Sequence, residues 1–304
     1  MKRISIGSWA YNIGPYGENP INFDTVCTQL KDLGFDGVEL GGFNKHPNPN
    51  DMPEKEQRQT LIQKMNDWGL SFSGFAADLW GQKLINTDDQ TDYINEFIKN
   101  ADFAVDVGIK GIRVDCTQPP TILDDVDYDT AFKRVTETWK RCSGEAADRG
   151  LYVTWEFEPG FAFNKPSDIL RILDAVDKPN FGVMYDTCHG QMVAVVGARQ
   201  YGEKETLAGG QLELISKLSG RINHIHLIDS DNTCHKDADG NDETSAHPPF
   251  GDGVINFDEV MPALVKEPLS HDWWTIDLCF WPEAWPVTKR CKIAIDELNQ
   301  KYGN

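Results

Sequence analysis

The chain has 304 residues, 40% of them hydrophobic, which is enough to bury a large core, and no apolar stretch approaches the length of a membrane-crossing helix. Acidic side chains outnumber basic ones 48 to 29, and the formal net charge of -19 repels nucleic-acid phosphates and anionic lipid. The acids are dispersed rather than blocked, so they describe a solvated surface and leave a neutral substrate open.

The N-terminus carries Lys2 and Arg3, but the following run is broken by Ser5, Gly7 and Ser8, and it lacks the apolar block of a secretory leader. A cytoplasmic location is the expectation. Seven cysteines are scattered without a C-x-x-C pair, so reduced thiols are expected rather than a disulfide framework or a zinc ribbon.

Short β-branched or aromatic segments alternate with amphipathic ones along the whole chain. Ile4–Ala10 precedes a predicted helix over Phe23–Leu33, and Gly37–Leu40 precedes one over Glu54–Trp68. Leu70–Ala76 leads to Asp92–Val107, where Ile94, Phe97, Ile98 and Ala101 show helical spacing. Gly111–Asp115 leads to Tyr128–Arg149, Tyr152–Glu158 to Pro166–Val176, and Phe181–Asp186 to Thr206–Leu218. Ile222–Asp229 leads to Asn256–Val265, and Trp273–Phe280 to Pro286–Tyr302. Gly34, Gly108 and Gly150 each stand just past a predicted helix, where a left-handed cap is needed. Strand then helix, eight times over, predicts an α/β fold of the (β/α)8 TIM-barrel type, one domain spanning 1–304.

One connection breaks the rhythm. Asp229–Asp252 is long and rich in Asp, Asn, Gly and His, and in a barrel the loops after strands build the active-site face. It reads either as a substrate-covering loop or, in its middle, as a disordered insertion. His235 within it is expected to be exposed, and His247 stands beside Pro248-Pro249-Phe250-Gly251. Asp237-Ala238-Asp239-Gly240 lacks the spacing of a calcium loop.

The last four segments end in metal-ligand residue types: Thr154-Trp155-Glu156-Phe157-Glu158-Pro159, Met184-Tyr185-Asp186-Thr187-Cys188-His189, Asn223-His224-Ile225-His226-Leu227-Ile228-Asp229, and Thr275-Ile276-Asp277-Leu278-Cys279. Alternate strand residues share a face, so Glu156 can point inward with Glu158, and His224 with His226. Buried charges at a barrel mouth are costly unless they pair or bind an ion. Three carboxylates and one imidazole from adjacent strands suit Mn²⁺, Mg²⁺ or Co²⁺, with Zn²⁺ behind them for want of a thiolate or a histidine cluster. Glu156 precedes Glu158 as the ligand on its spacing from Gly150, and His224 is expected one layer deeper, as a hydrogen-bonded core residue. Asp229 is either an orienting residue or a loop cap. Trp9, Trp80, Trp155, Trp281 and Trp285 fall near strand ends, where flat rings suit the C–H face of a sugar, although core packing competes at each.

Nearly the whole chain, most strongly Gly150 to Phe280, resembles the xylose-isomerase-like barrels: sugar isomerases and epimerases, inosose dehydratases and endonuclease-IV-type proteins. The resemblance is carried by Trp155-Glu156-Phe157-Glu158-Pro159-Gly160, Tyr185-Asp186-Thr187-Cys188-His189, His224-Ile225-His226-Leu227-Ile228-Asp229, Pro249-Phe250-Gly251-Asp252-Gly253 and Trp274-Thr275-Ile276-Asp277. It places Glu156, Asp186 and His226 on three metal positions, and Asp277 on a fourth, where many members carry Glu. The shorter side chain withdraws that carboxylate by roughly 1.5 Å. The resemblance also implies catalytic roles for Glu156, Asp277 and His189, and substrate contact for His189.

The expected chemistry is metal-assisted removal of a proton beside a carbonyl of a sugar or polyol, giving an isomerase or epimerase. A lyase, of the inosose-dehydratase or 3-keto-glycoside eliminase kind, is the alternative, because losing a β-leaving group uses the same site. Ketohexose 3-epimerases carry Gly-Glu and then Asn-Arg after the metal histidine, whereas this chain reads Ile228-Asp229-Ser230-Asp231-Asn232. They also carry a second Glu where this chain has Ala162, or Asn164 if counted from Glu158. A nuclease with a trinuclear zinc site needs more than the seven histidines present. A non-catalytic sugar-binding barrel is the remaining class. The expected partners are a small carbohydrate substrate bound partly by Glu158, Trp9 and His247, a second copy of the chain, and, by the resemblance, a small companion subunit.

Overall fold

The computed structural model describes residues 1–237 and 239–304; the Ala238 position of the Asp-rich turn lies outside them. In chain order the strands are β1 (Arg3–Ile6), β2 (Gly37–Gly41), β3 (Ser71–Ala76), β4 (Gly111–Val114), β5 (Tyr152–Glu156), β6 (Phe181–Asp186), β7 (Ile222–Leu227), β8 (Cys234–Lys236), β9 (Asp242–Ser245) and β10 (Trp273–Ile276). Eight of them form one parallel sheet in the order β1-β10-β7-β6-β5-β4-β3-β2. A parallel bridge between Gly7 and Glu39 joins its two edges into a barrel. The same seam is tied by Ile4 N donating to Asp36 Oδ2 (2.8 Å) and Gly41 N donating to Ser8 Oγ (2.8 Å).

The period-two rule sorts the strand residues. Val153 and Trp155, Val183 and Tyr185, Ile225 and Leu227, and Trp274 and Ile276 face outward into the helix layer and are buried there. Their alternates point inward: Thr154 and Glu156, Met184 and Asp186, His224 and His226, Thr275 and Asp277. That interior is unusually polar, and it is crowded. A Cβ at Gly74 would sit 3.1 Å from the Glu39 carboxyl, so glycine there relieves a tight contact between β3 and β2's acid.

The helices that cover the barrel are α1 (Phe23–Asp32), α2 (Lys55–Trp68), α3 (Thr91–Asp106), α4 (Tyr128–Asp148), α5 (Pro166–Val176), α6 (Thr187–Gln191), α7 (Gly210–Leu218), α8 (Phe257–Leu264) and α9 (Ala284–Tyr302). In α4, Ala131, Val135, Trp139, Cys142 and Ala146 fall on one stripe and are buried, with Trp139 packed on Trp155 at 5.2 Å between ring centroids. Asp127 starts this helix by accepting from Thr130 N at 3.1 Å. Gly34, Gly108 and Gly150 all take positive φ (75°, 79° and 69°), as the cap reading expects.

Several boundaries shift for physical reasons. The first strand ends at Ile6, and Ser8–Tyr11 is a 3-10 turn that brings Trp9 over the barrel mouth. β5, β7 and β10 end at Glu156, Leu227 and Ile276, where the chain leaves the sheet to build the rim. The helix expected from Thr206 begins at Gly210, which has φ 56° and follows a second glycine. Two elements escape a periodicity reading: the five-residue α6, and the β8–β9 hairpin inside the long polar loop.

Candidate metal centre and active site

Each of the last four barrel strands delivers one side chain to the C-terminal rim. Glu156 closes β5, Asp186 closes β6, His226 stands on β7, and Asp277 directly follows β10. One ligand atom from each lies within 4.8 Å of the others, and all four residues are buried. His226 Nδ1 is 3.2 Å from Glu156 Oε1 and 3.5 Å from Asp277 Oδ2.

The site passes a simple test for a cation. Among the described residues, Glu156 Oε1, Asp186 Oδ2 and His226 Nδ1 are buried without a hydrogen-bond partner. Leaving such groups unmatched costs free energy that a coordinated ion recovers. The protons tell the same story. Burial, then the charges of Asp277 and Glu156, pushes Asp186 well above the usual carboxylate range. Burial opposes charge on His226, yet Glu39, Asp277 and Glu156 outweigh it and hold the imidazole well above its ordinary value. Three buried carboxylates facing one imidazole thus make the pocket favour positive charge. Three oxygens and one nitrogen form the donor set of a divalent cation.

Every member of the set is braced from its far side. Glu156 Oε2 accepts from Arg113 Nη1 at 2.5 Å, and Arg113 also pairs with Asp115 at 3.2 Å. Burial raises Glu156, but Arg113 and then His226 bring it down to about 2. Asp277 Oδ1 accepts from Trp9 Nε1 and from Cys279 N, both at 2.8 Å, which aims Oδ2 at the cluster despite the short side chain. Asp186 Oδ1 caps α6 by accepting from His189 N at 2.8 Å and so frees Oδ2. His226 Nε2 lies 3.1 Å from Glu39 Oε2, fixing Nδ1 as the inward nitrogen. Glu39 Oε2 also takes His224 Nε2 (2.7 Å) and Thr275 Oγ1 (2.8 Å). Burial pushes the Glu39 carboxyl up, and His224 and His226 overcome it and hold it well below the usual range.

The remaining polar groups hang over the cluster from the loops. Glu158, past the end of β5, accepts from Thr244 Oγ1 of β9 and lies 3.8 Å from His189 Nε2. Burial, then Glu156 and Asp115, raises it to about 8. His189 Nδ1 meets Ser245 Oγ at 2.9 Å, and burial with neighbouring His247 lowers the imidazole to about 3, so it is neutral at pH 7. His247 Nε2 stands 3.9 Å from Asp186 Oδ1, and its ring meets that of His189 edge-on at 4.8 Å. Thr244 and Ser245 of β9 thus form part of the wall of the site. His235, expected at the surface, is half-buried instead, its ring 4.3 Å from Phe280.

These residues line a cavity of about 640 Å³ whose floor holds Glu156, Asp277 and Trp9. A larger cavity, about 1010 Å³, opens at the opposite end of the barrel among Ser71, Lys110, Tyr152, His271 and Trp273, all at strand starts. The cluster does not face it, and rim chemistry belongs to the strand ends.

The structure brings together Glu156, Asp186, His226, Asp277, Glu158, His189, His247 and Trp9. His224 is placed a layer deeper, as expected. Asp229 is a loop cap: its carboxylate accepts from Gly251 N (3.0 Å), Gly253 N (3.2 Å) and Ile255 N (3.0 Å). Trp155 points into the helix layer, because its neighbour Glu156 points inward, and Trp285 packs on Tyr11 at 5.5 Å. Sequence reasoning missed Glu39, Arg113 and Asp115. Their signal was a lone charge inside an otherwise buried strand, in Val38-Glu39-Leu40 and Ile112-Arg113-Val114-Asp115.

Eight parallel strands closed around an acid-and-imidazole cluster define a (β/α)8 barrel with a candidate metal site at its rim. Residues 27–289 match the xylose isomerase-like TIM barrel family, and the chain belongs to it. It is 26% identical over 263 residues to the inosose dehydratase of Bacillus thuringiensis (strain Al Hakam), covering 80% of this chain and 78% of that one. Its fold is shared by the IolI protein with a bound zinc atom (TM-score 0.73, 18% identity, 99% of each chain). It is shared too by a D-tagatose 3-epimerase-like protein (TM-score 0.71, 15% identity, 99% of each chain). No helix among the described residues is long and apolar enough to cross a membrane.

Proposed function

We propose that this chain is a divalent-metal enzyme that moves a proton beside a carbonyl of a sugar or polyol, as an isomerase or epimerase. The observation that carries this reading is the convergence of partnerless ligand atoms of Glu156, Asp186 and His226 with Asp277 on one buried point. Those four residues would hold the cation. Zinc joins manganese, magnesium and cobalt as a candidate, since one nitrogen and three oxygens accommodate each of them. When bound, the ion supplies electrophilic stabilisation of negative charge on adjacent substrate oxygens.

The chain's own residues divide the remaining work. Glu156 and Asp277 each have one oxygen committed to the cluster and the other to Arg113 or Trp9, so they serve as ligands better than as proton carriers. Glu158, with His189 beside it, is the free acid–base group above the cluster. Thr244 and Ser245 hold these two from the hairpin. Trp9 offers its ring, 5.5 Å from that of His226, to the apolar face of a sugar.

A dehydratase is the second reading, favoured by the inosose dehydratases that match four-fifths of the chain. The same proton abstraction applies, followed by loss of a β-hydroxyl that Glu158 would protonate. Incubating the metal-loaded protein in deuterium oxide with free sugars, inososes and 3-keto-glycosides tests both. Deuterium at the carbon next to the carbonyl supports proton transfer, and a product lighter by one water selects the lyase. Absence of exchange and of product with every metal and substrate class rejects the proposal.

A further inference from the structure

Around the mouth of the 640 Å³ cavity, the lining changes character from the acidic floor. Trp80 is 39% exposed, an uncommon state for the largest apolar side chain, yet it is fixed rather than loose. Its ring stacks on Phe43 at 5.1 Å, and Nε1 is directed at Asp115 Oδ2, 3.4 Å away. A second aromatic surface comes from Phe280. Its backbone is left-handed (φ 57°), a conformation that bulky L-residues rarely adopt and that is retained where the surroundings impose it. Its ring lies against Gly14, where a Cβ would come within 2.4 Å, and His235 of the hairpin covers it.

Size and charge narrow the occupant. Pockets of about 300–1,000 Å³ receive drug-sized ligands, and 640 Å³ exceeds what one sugar ring on the metal cluster requires. The lining carries six acidic side chains (Glu156, Glu158, Asp237, Asp242, Glu243 and Asp277) against two arginines, and Lys236 beside it is paired with Asp242, so even with one dication bound it holds no surplus of positive charge. Arg113 is committed to Glu156 and Asp115, and Arg199 donates to the Glu243 carbonyl oxygen at 2.9 Å. A phosphorylated sugar finds no uncommitted arginine in this lining to receive its charge.

We propose that the site takes an uncharged glycoside, with the reacting sugar over the metal cluster and a second ring against Trp80 and Phe280 at the mouth. This rests on the reading of the floor as a sugar site. The second ring is either another sugar or an aryl group, since both present a flat apolar face to an aromatic side chain.

Calorimetric titration of the metal-loaded protein with D-glucose, cellobiose, maltose, phenyl-β-D-glucoside and a glucose phosphate tests the subsite. At least one two-ring probe is expected to bind tenfold or more tighter than glucose, and the phosphate weaker than any neutral probe. Preference for the disaccharides or for the phenyl glucoside tells which kind of ring the mouth favours. Trp80→Ala is expected to lower two-ring affinity at least tenfold more than glucose affinity, with Phe280→Leu as an independent check should the first variant fold poorly. Equal affinity for one and two rings, no binding of any two-ring probe, tightest binding of the phosphate, or an undiminished gain in both variants overturns the proposal. Solvent deuterium exchange into free sugars without any gain for glycosides rejects the subsite alone, whereas no exchange into any substrate rejects proton transfer.

Discussion

Two layers of the barrel interior use the same residue types and differ in one respect. In the lower layer, Glu39, His224, Thr275 and Ser5 bond to one another, with Glu39 Oε2 receiving three donors and Ser5 Oγ lying 2.9 Å from Thr275 Oγ1. In the upper layer, Glu156, Asp186, His226 and Asp277 lean on partners behind them, and Glu156 Oε1, Asp186 Oδ2 and His226 Nδ1 converge without a hydrogen bond, whereas of the four lower residues Glu39 alone keeps such an atom, Oε1. Acid and imidazole in a barrel therefore do not by themselves mark a metal site. What sets the upper layer apart is that several free lone pairs converge on one point. The lower layer, although Glu39, His224 and His226 also cluster, reads as a support that fixes His226.

The sharpest way to break this contrast is to alter the upper layer. Glu156→Gln, Asp186→Asn and His226→Ala are each expected to lower kcat on the order of 10³-fold or more, with the circular-dichroism spectrum unchanged. Full activity in a Glu156→Gln, Glu158→Gln double variant contradicts the assignment. Removing metal comes next. Chelator-treated protein should gain about 2.7 kcal/mol of stability when a divalent ion is restored at a hundred times its dissociation constant, read as a rise in melting temperature that Asp186→Asn abolishes. In the lower layer, Glu39→Gln should weaken metal affinity about 10–100-fold without removing the site, measured by competition with a fluorescent chelator. An unchanged affinity there would mean the support is only structural.

The smallest effect tests the base of the lower layer. His271 Nε2 lies 3.1 Å from His224 Nδ1, and burial together with His224 lowers His271 to about 4. Its unfolded value is higher, so the unfolded chain takes the proton first as pH falls. Stability is fully present above about 6.5 and is lost as pH drops toward 4. Partial exposure reduces the effect to on the order of 1 kcal/mol. Acid titration of the melting temperature should flatten by that amount in His271→Gln; an identical slope in variant and parent places the acid sensitivity elsewhere.

Much of this is legible in the sequence. Repeating strand and helix periods, with glycine after helices, specified the barrel, and the family match confirms that class. Acid and histidine at four successive strand ends marked the upper layer, because strand ends in a parallel barrel converge on one rim. What stayed hidden is long-range. Glu39 is one acid in an apolar strand, and its partners His224 and Thr275 lie more than 180 residues away in sequence. Asp277 reaches the cluster because Trp9, on a 3-10 turn at the other end of the chain, aims it. The hairpin's polar residues conceal strand alternation, so its role over His189 and Glu158 follows only from the contacts of Thr244 and Ser245. Trp155 shows the reverse: it counts among the rings suited to a sugar face by its place near a strand end, although its parity with Glu156 points it into the helix layer.

Metal binding to chelator-stripped protein, measured by calorimetry together with elemental analysis, bears most directly on the central claim. One divalent ion per chain is expected, with binding abolished in a folded Glu156→Gln, Asp186→Asn double variant. No bound ion in the parent, or undiminished binding in that variant, would contradict it.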